Sequence, residues 1–397
     1  MSKLINVFLV ALRLGVTSFG GPVAHIGYFR AEYVGKRGWL DDKSFTELVA
    51  LCQLLPGPAS SQLGIAIGTL RAGRLGGVLA WLGFTMPSAI ILIAFAYGVG
   101  EVEDVANSEW LHGLKLAVVA VVALAVWSMA GSLWTDRRRV TLGVAATVFM
   151  LLTPGAIWQI AVILIGGLAG ILLFKDMSNS ADNHQPGDSS GSKKLAVVVV
   201  GMFVALLVAL PVIADSTGRG EIDVFENFYR SGSLVFGGGH VVLPLLQSET
   251  VGAGYIDNDQ FVAGYGATQA VPGPLFTFAS YLGATMVGEL FGQRWIAGLV
   301  TLGAIFLPSF LLVWGVLPFW TRLSSSVRVR GAVAGINSAV VGLLLAALYN
   351  PIWTGSVRTA EDFGLVMVLF GLLAIWKLPP WSVVILAAAG GYVLELI

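Results

Sequence analysis

Two arginines set inside apolar segments, Arg13 and Arg230, each stand six positions before a glycine break. The breaks are Phe19-Gly20-Gly21-Pro22 and Phe236-Gly237-Gly238-Gly239. A guanidinium keeps its charge at membrane depth, at about 2.5–3.5 kcal/mol on insertion scales, so it faces a cavity, a carboxylate or the interface. A broken helix exposes unpaired N–H groups at its new N-terminus, where they and the helix dipole attract anions. Glycine permits the sharp turn and close ligand approach, and proline suits the first helical position. Two further breaks, Pro56-Gly57-Pro58 and Pro272-Gly273-Pro274, repeat the device. Gln53, Gln269, His25 and His240 flank the breaks as hydrogen-bond donors to an oxyanion or as ordinary interhelical contacts. The chemistry these residues offer is the binding of a compact anion.

The elements that hold them are duplicated. At an offset of 217, Arg13 and Glu32 recur as Arg230 and Glu249. At 216, Asp41, Phe45, Gln53 and Pro56-Gly57-Pro58 recur as Asp257, Phe261, Gln269 and Pro272-Gly273-Pro274. Paired charges and paired helix breaks in a duplicated hydrophobic half are the construction of membrane transporters. Glu32 and Glu249 are candidate proton carriers or partners for the arginines, against the blander expectation of solvated loop carboxylates. Lys115 takes the place of Asn337, as a third cationic ligand or an interface anchor.

Of the 397 residues, 56% are hydrophobic and 12% charged, with mean hydropathy +0.82. Soluble domains are about 25% charged. Stretches 76–99, 110–131, 155–174, 195–214, 293–316 and 329–349 each approach the roughly 20 residues that cross a bilayer. The chain reads as an all-α polytopic membrane protein. Its first apolar stretch begins at Leu4 and runs into the repeat, so it reads as part of the fold, not a signal peptide. Zero net charge argues against a nucleic-acid partner. The single cysteine, Cys52, and four scattered histidines offer neither a disulfide nor a metal site. No phosphate loop or nucleophile elbow is present. Neither a cofactor nor an enzyme activity is expected; a membrane-embedded enzyme or scaffold is the alternative from another class.

The polar stretch 176–194 reads as a flexible linker. It divides the chain into a first repeat (1–175), the linker, a linking helix (195–214) and a second repeat (215–397). Loop charges set orientation, because Lys and Arg collect on the cytoplasmic side. The loop after the first glycine break holds Arg30, Lys36, Arg37 and Lys43; its counterpart holds only Glu249, Asp257 and Asp259. Residues 100–109 are acidic, whereas 322–330 carry Arg322, Arg328 and Arg330. Arg137-Arg138-Arg139 opposes Arg358 beside Glu361 and Asp362. Equivalent loops of opposite bias predict an inverted repeat with a cytoplasmic linker. They also make 4–36 and 44–70 re-entrant hairpins, with tilted discontinuous spans as the alternative. Each half then has two broken elements and four crossings. Irregular backbone at that depth has to be satisfied by protein or a watery cavity.

At Ser18-Phe19-Gly20-Gly21-Pro22, Gln53-Leu54-Leu55-Pro56-Gly57-Pro58, Phe236-Gly237-Gly238-Gly239-His240 and Gln269-Ala270-Val271-Pro272-Gly273-Pro274 the chain resembles the chromate ion transporter family in its long, two-domain form. The likeness extends over essentially the whole chain outside the linker. One departure is Gly239 where the first copy has Pro22. The resemblance implies a bacterial or archaeal inner-membrane protein that exports chromate and confers resistance, with sulfate the chemically similar anion. Alternatives are a sulfate or other oxyanion carrier or exchanger, and a channel. A homodimer is admitted, the oligomeric state being otherwise open.

Overall fold

Apolar runs punctuated by glycine and proline give a chain of helices joined by tight turns. The computed structural model describes residues 2–101, 109–174, 193–236, 238–286, 291–320 and 326–395, which include no strand. The first half contains α1 (Lys3–Thr17), α2 (Gly21–Phe29) running into a π-helix (Arg30–Lys36), α3 (Asp42–Leu54), α4 (Ala59–Glu101), α5 (Glu109–Leu133), α6 (Arg137–Leu152) and α7 (Ala156–Leu173). After the linking helix α8 (Lys193–Thr217) come α9 (Gly220–Leu234), α10 (Val242–Thr250), α11 (Asn258–Ala270), α12 (Phe278–Met286) and α13 (Arg294–Val316). The second half closes with α14 (Val327–Ala347), α15 (Ala360–Ala374) and α16 (Pro380–Glu395). Nearly all of the expected linker lies outside the described residues, as do Gly237, Arg322 and most of the acidic 100–109 loop.

The matched sequence positions do matched work. Asp41 caps α3 by accepting from the Ser44 N–H at 2.7 Å, and Asp257 caps α11 by accepting from Gln260 at 2.6 Å. Such caps satisfy donors that the first helical turn leaves free. Within α4 the chain reverses at Ala72 and Gly73 (φ 72°), so residues 59–71 fold back along the rest of the helix. Gly76 lies against Gly68, and Gly77 against Ile65 and Thr69, too close for side chains. At 1.5 Å per residue that first arm is about 20 Å long, short of the roughly 30 Å hydrocarbon core. The break expected within 44–70, at Leu54–Pro58, separates α3 from this short arm, and the reversal at Ala72–Gly73 is a second turn beyond it.

Six helices among the described residues are long and apolar enough to cross a membrane: 59–98, 109–133, 156–173, 193–217, 294–319 and 327–356. They follow the six stretches read from hydropathy. α8 is the most apolar and the least buried, a peripheral strut exposing Val197, Val198, Val204 and Val208. The halves interlock. α5 packs on α15 and α16, and its counterpart α14 packs on α6 and α7. Gly113 abuts the Ala387 carbonyl while its equivalent Gly335 abuts the Gly166 carbonyl, close approaches that small residues allow between membrane helices.

The two repeats are not docked alike. α11 packs on α4, α5, α12 and α16, and α10 on α7, α9 and α14. In the first half, α2 packs chiefly on α4 and the π-helix, and α3 on the same two. α10 is buried almost throughout, whereas Arg13, Val16, Thr17, Gly20 and Gln53 are exposed.

Candidate functional site

Each Pro-Gly-Pro break of one half meets the glycine break of the other. The Gly57 N–H donates to the Val235 carbonyl at 2.6 Å, and the Gly273 N–H donates to the Ser18 carbonyl at 3.0 Å. Ser18 and Val235 are equivalents at an offset of 217, and Gly57 and Gly273 at 216. All four breaks therefore converge on one pseudo-symmetric centre between the halves. Only glycine fits at the two crossings. Gly57 (φ 116°) and Gly273 (φ 107°) have left-handed backbone, and a Cβ there would stand 2.9 Å from Ser309 Oγ and 2.7 Å from Ser88 Oγ respectively. Both serines come from the opposite half.

Those two serines went unread in the sequence. They follow Pro87 and Pro308 inside long apolar helices, matched at an offset of 221 that the break motifs do not share. A search for paired Pro-Ser dipeptides in equivalent spans would have found them.

The centre is lined by buried polar atoms that lack partners. Ser18 Oγ, His25 Nε2, Ser61 Oγ, Gln62 Oε1, Thr85 Oγ1 and Ser309 Oγ make no hydrogen bond, and these side chains are at most 1% exposed. Buried polar groups are normally hydrogen-bonded, so a cluster of free ones marks a place built for something else. His25 Nδ1 lies 3.3 Å from Ser60 Oγ, and its ring stands edge-on to Phe84, whose carbonyl faces Gly273. Gln62 donates through Nε2 to the Pro56 carbonyl at 2.6 Å, fixing the loop around Gly57. Pro58 leads into the α4 arm that carries Ser60, Ser61 and Gln62.

The remaining expected site residues fall into different environments. Phe19 is half-buried against Trp381, 6.3 Å between rings, while Gly20 (φ 97°) and Gly21 (φ 78°) shape the turn that leads to Pro22 at the start of α2. Gly238 (φ 149°) and Gly239 begin a short 3₁₀ turn, and Pro272 and Pro274 flank Gly273. His240 is not the structural equivalent of His25, whose place the second copy gives to Val242; its Nδ1 lies 2.6 Å from the Tyr265 hydroxyl. Gln53 is exposed, and Gln269 has a buried, unpartnered Nε2.

The arginines separate too. Arg13 is exposed. Arg230 donates to Glu226 at 2.6 Å, to Glu249 at 2.8 Å and to Asn227 at 2.7 Å, so two carboxylates already face its charge. The expectation of solvated loop carboxylates does not hold. Glu249 closes onto Arg230, and Glu32 is buried beneath Arg37 (2.8 Å) and Lys36 (3.5 Å) because the π-helix turns it inward. Lys115, 3% exposed, pairs with Asp259 at 2.7 Å and is a buried anchor between α5 and α11. At its equivalent, Asn337, the side-chain Oδ1 is buried without a partner.

Removing one member of a buried ion network leaves an uncompensated charge at about 3–5 kcal/mol. Arg230→Ala is therefore expected to lower detergent-solubilised stability by roughly 3 kcal/mol, trimmed by its partial exposure, and Arg13→Ala by under about 0.5 kcal/mol. Thermal melts compare the two, and restored stability in Arg230→Ala/Glu226→Gln/Glu249→Gln would tie the loss to stranded carboxylates.

A separate cavity of about 590 Å³ lies between α6, α7, α10 and α14, with Gln159 and Gln247 in its wall; none of the expected site residues lines it.

The Chromate transporter family model matches residues 5–171 and 222–392, the two repeats. The chromate transport protein of Pseudomonas aeruginosa is 30% identical over 97% of this chain and 90% of its own length. The probable chromate transport protein of Synechococcus elongatus is 25% identical over 96% and 93%. The chromate transport protein of Cupriavidus metallidurans is 25% identical over 85% and 80%. No solved structure matches. On a family match that runs through both halves and meets the paired breaks at their centre, the chain belongs to the chromate transporter family.

Proposed function

We propose that this protein exports chromate from the cytoplasm by alternating access around the crossing of its helix breaks, in the inner membrane of a bacterium or archaeon, and so confers chromate resistance. The observation that carries the reading is the exchange of Gly57–Val235 and Gly273–Ser18 hydrogen bonds between the halves. Any rocking of one repeat against the other must pass through that centre, as inverted-repeat transporters do at theirs. Packing supports a direction of opening. The loosely docked α2 and α3 belong to the half whose flanking loop carries Arg30, Lys36, Arg37 and Lys43, the cytoplasmic signature. The well-docked α10 and α11 close the opposite side, with the Lys115–Asp259 pair across the seam.

Energetics favour export. An interior-negative potential contributes about 2.3 kcal/mol per charge per 100 mV, or roughly 4.6 kcal/mol for a dianion. At about 1.4 kcal/mol per decade, that sustains a gradient near three orders of magnitude without a coupling ion.

Chromate flux from proteoliposomes under an imposed potential tests the proposal. The expected result is saturable, potential-driven flux that sulfate inhibits weakly. Flux that requires sulfate or protons on the opposite face would replace it with an exchanger, and competition by micromolar sulfate would make sulfate the substrate.

A further inference from the structure

The repeat suggests two equivalent anion sites, one per half, but the side chains at the centre are not symmetric. The first half places Ser18, His25, Ser60, Gln62 and Thr85 there. The equivalent positions of the second half hold Val235, Val242, Phe276, Phe278 and Phe306. The aromatics are fully buried and packed together: Phe276 lies 5.9 Å from Phe306, and Phe278 lies 5.1 Å from Phe261 and 5.7 Å from Tyr265. Thr277, which stands where the first half has Ser61, spends its hydroxyl on the Pro274 carbonyl at 2.7 Å. Ser88, the equivalent of Ser309, likewise donates to the Thr85 carbonyl at 3.0 Å.

Apart from Gln269 Nε2, the unpartnered donors at the centre gather on one side. Ser309 Oγ reaches over Gly57 from the second half. Ser61 sits in the first turn of the α4 arm, whose N–H groups at residues 59–61 precede the first helical hydrogen bond, Gln62 N–H to the Pro58 carbonyl at 2.9 Å. Thr85 stands three residues before Ser88 and four after Trp81, on the helix face turned to the second half. In the tautomer whose Nδ1 accepts from Ser60, His25 presents Nε2–H.

We infer that this protein has one oxyanion site, set off the pseudo-two-fold axis, in which a doubly charged tetrahedral oxyanion of the chromate or sulfate class is held by uncharged donors. They are Ser61, Ser309, His25 and the N-terminal N–H groups of the α4 arm. The aromatic counterpart in the second half is a packed hinge that binds no ion. Neutral donors suit a transported dianion. Helix-terminal N–H groups and hydroxyls stabilise its charge without a full counter-charge that would hold it in place. Arg230 is already neutralised by Glu226 and Glu249 and serves the scaffold.

The inference rests on the transport reading above. Its test is titration of the full-length protein in lipid nanodiscs with chromate, and separately with sulfate, alongside flux. Losing one hydrogen bond to a charged group weakens binding roughly tenfold or more. Ser309→Ala and Ser61→Ala are each expected to raise the chromate Kd about tenfold, while Thr277→Ala leaves it within about twofold. Ser61 and Ser309 lie on different helices, so if one variant is unstable the other still reads the donor set. Equal weakening by Thr277→Ala and Ser61→Ala would overturn the inference in favour of a symmetric site. So would a tenfold loss in Arg13→Ala with Ser309→Ala unchanged. Tight sulfate binding lost in the same two serine variants supports the donor set and changes only the ion. A parent that transports chromate while ignoring both serine changes sinks the site alone; a parent that neither binds nor moves either ion removes the transport reading and the inference together.

Discussion

Gly57→Ala and Gly273→Ala proteins are expected to insert and to lose at least tenfold in chromate flux. Two costs add at each position. Left-handed backbone in a residue with a Cβ costs about 1–3 kcal/mol, and overpacking a filled site costs about 1–3 kcal/mol more. At Gly57 the new methyl meets Gln62 Nε2 at 2.6 Å and Ser309 Oγ at 2.9 Å; at Gly273 it meets Ser88 Oγ at 2.7 Å and the Phe84 carbonyl at 3.4 Å. Relief requires the break to move away from the other half. That movement stretches the Gly57–Val235 or Gly273–Ser18 hydrogen bond, the feature both halves must keep in register. Gly254 supplies the control. It has φ 76° but nothing within 4 Å, so Gly254→Ala meets the backbone cost without the clash and is expected to retain flux. Flux per folded protein, with insertion checked by size-exclusion profile, separates the cases. Full activity in both crossing variants would mean the breaks are packing kinks.

Much of this architecture could be read from residue spacing. The offsets of 217 and 216 identified the repeat because matched breaks need matched residues, glycine for left-handed turns and aspartate for caps. Hydropathy placed the six long helices because burial in lipid selects composition over some twenty residues. What spacing could not convey was the partner of each break. Gly57 and Val235 are paired by the way the two halves face one another, and no local pattern encodes that. The roles of charged residues were illegible for the same reason. Glu32 and Glu249 stand in loop-like sequence, yet burial and nearby cations make them ion-pair members. The serines of the centre escaped because a hydroxyl inside an apolar helix usually satisfies itself on a carbonyl one turn back, as Thr268 does with Gly264. Ser309 differs only in that its hydroxyl makes no such bond.

Breaking the Lys115–Asp259 pair is expected to open the second-half side of the protein. The pair has no pseudo-symmetric twin. Where the second half offers Asp259, the first has an exposed Lys43, and where the first has Lys115, the second has Asn337. Two such residues cannot form an ion pair, so the tie operates on one face only, the face on which α11 is docked against α5. In Asp259→Asn the Lys115 ammonium, 3% exposed, stays buried without its counter-ion in the closed arrangement and gains water when the seam parts. A stranded buried charge costs about 3–5 kcal/mol. Asp259 is itself 32% exposed, so water already screens the pair and about 1–2 kcal/mol is the reasonable share. That is near a tenfold change in the open population. The readout is a cysteine at Gln269, on the second-half break, probed from outside the cell with a membrane-impermeant maleimide. Cys52, the only native cysteine, is buried and contributes no background. Gln269→Cys should label slowly in the parent and about tenfold faster with Asp259→Asn or Lys115→Met. Gln53→Cys, on the first-half break, should lose labelling from the cytoplasmic side in the same variants. The exchanged pair Lys115→Asp/Asp259→Lys should restore the parental rates at both positions, because the tie depends on opposite charges and not on which helix carries which. Unchanged labelling at Gln269→Cys in both single variants would show that helix packing alone closes that face.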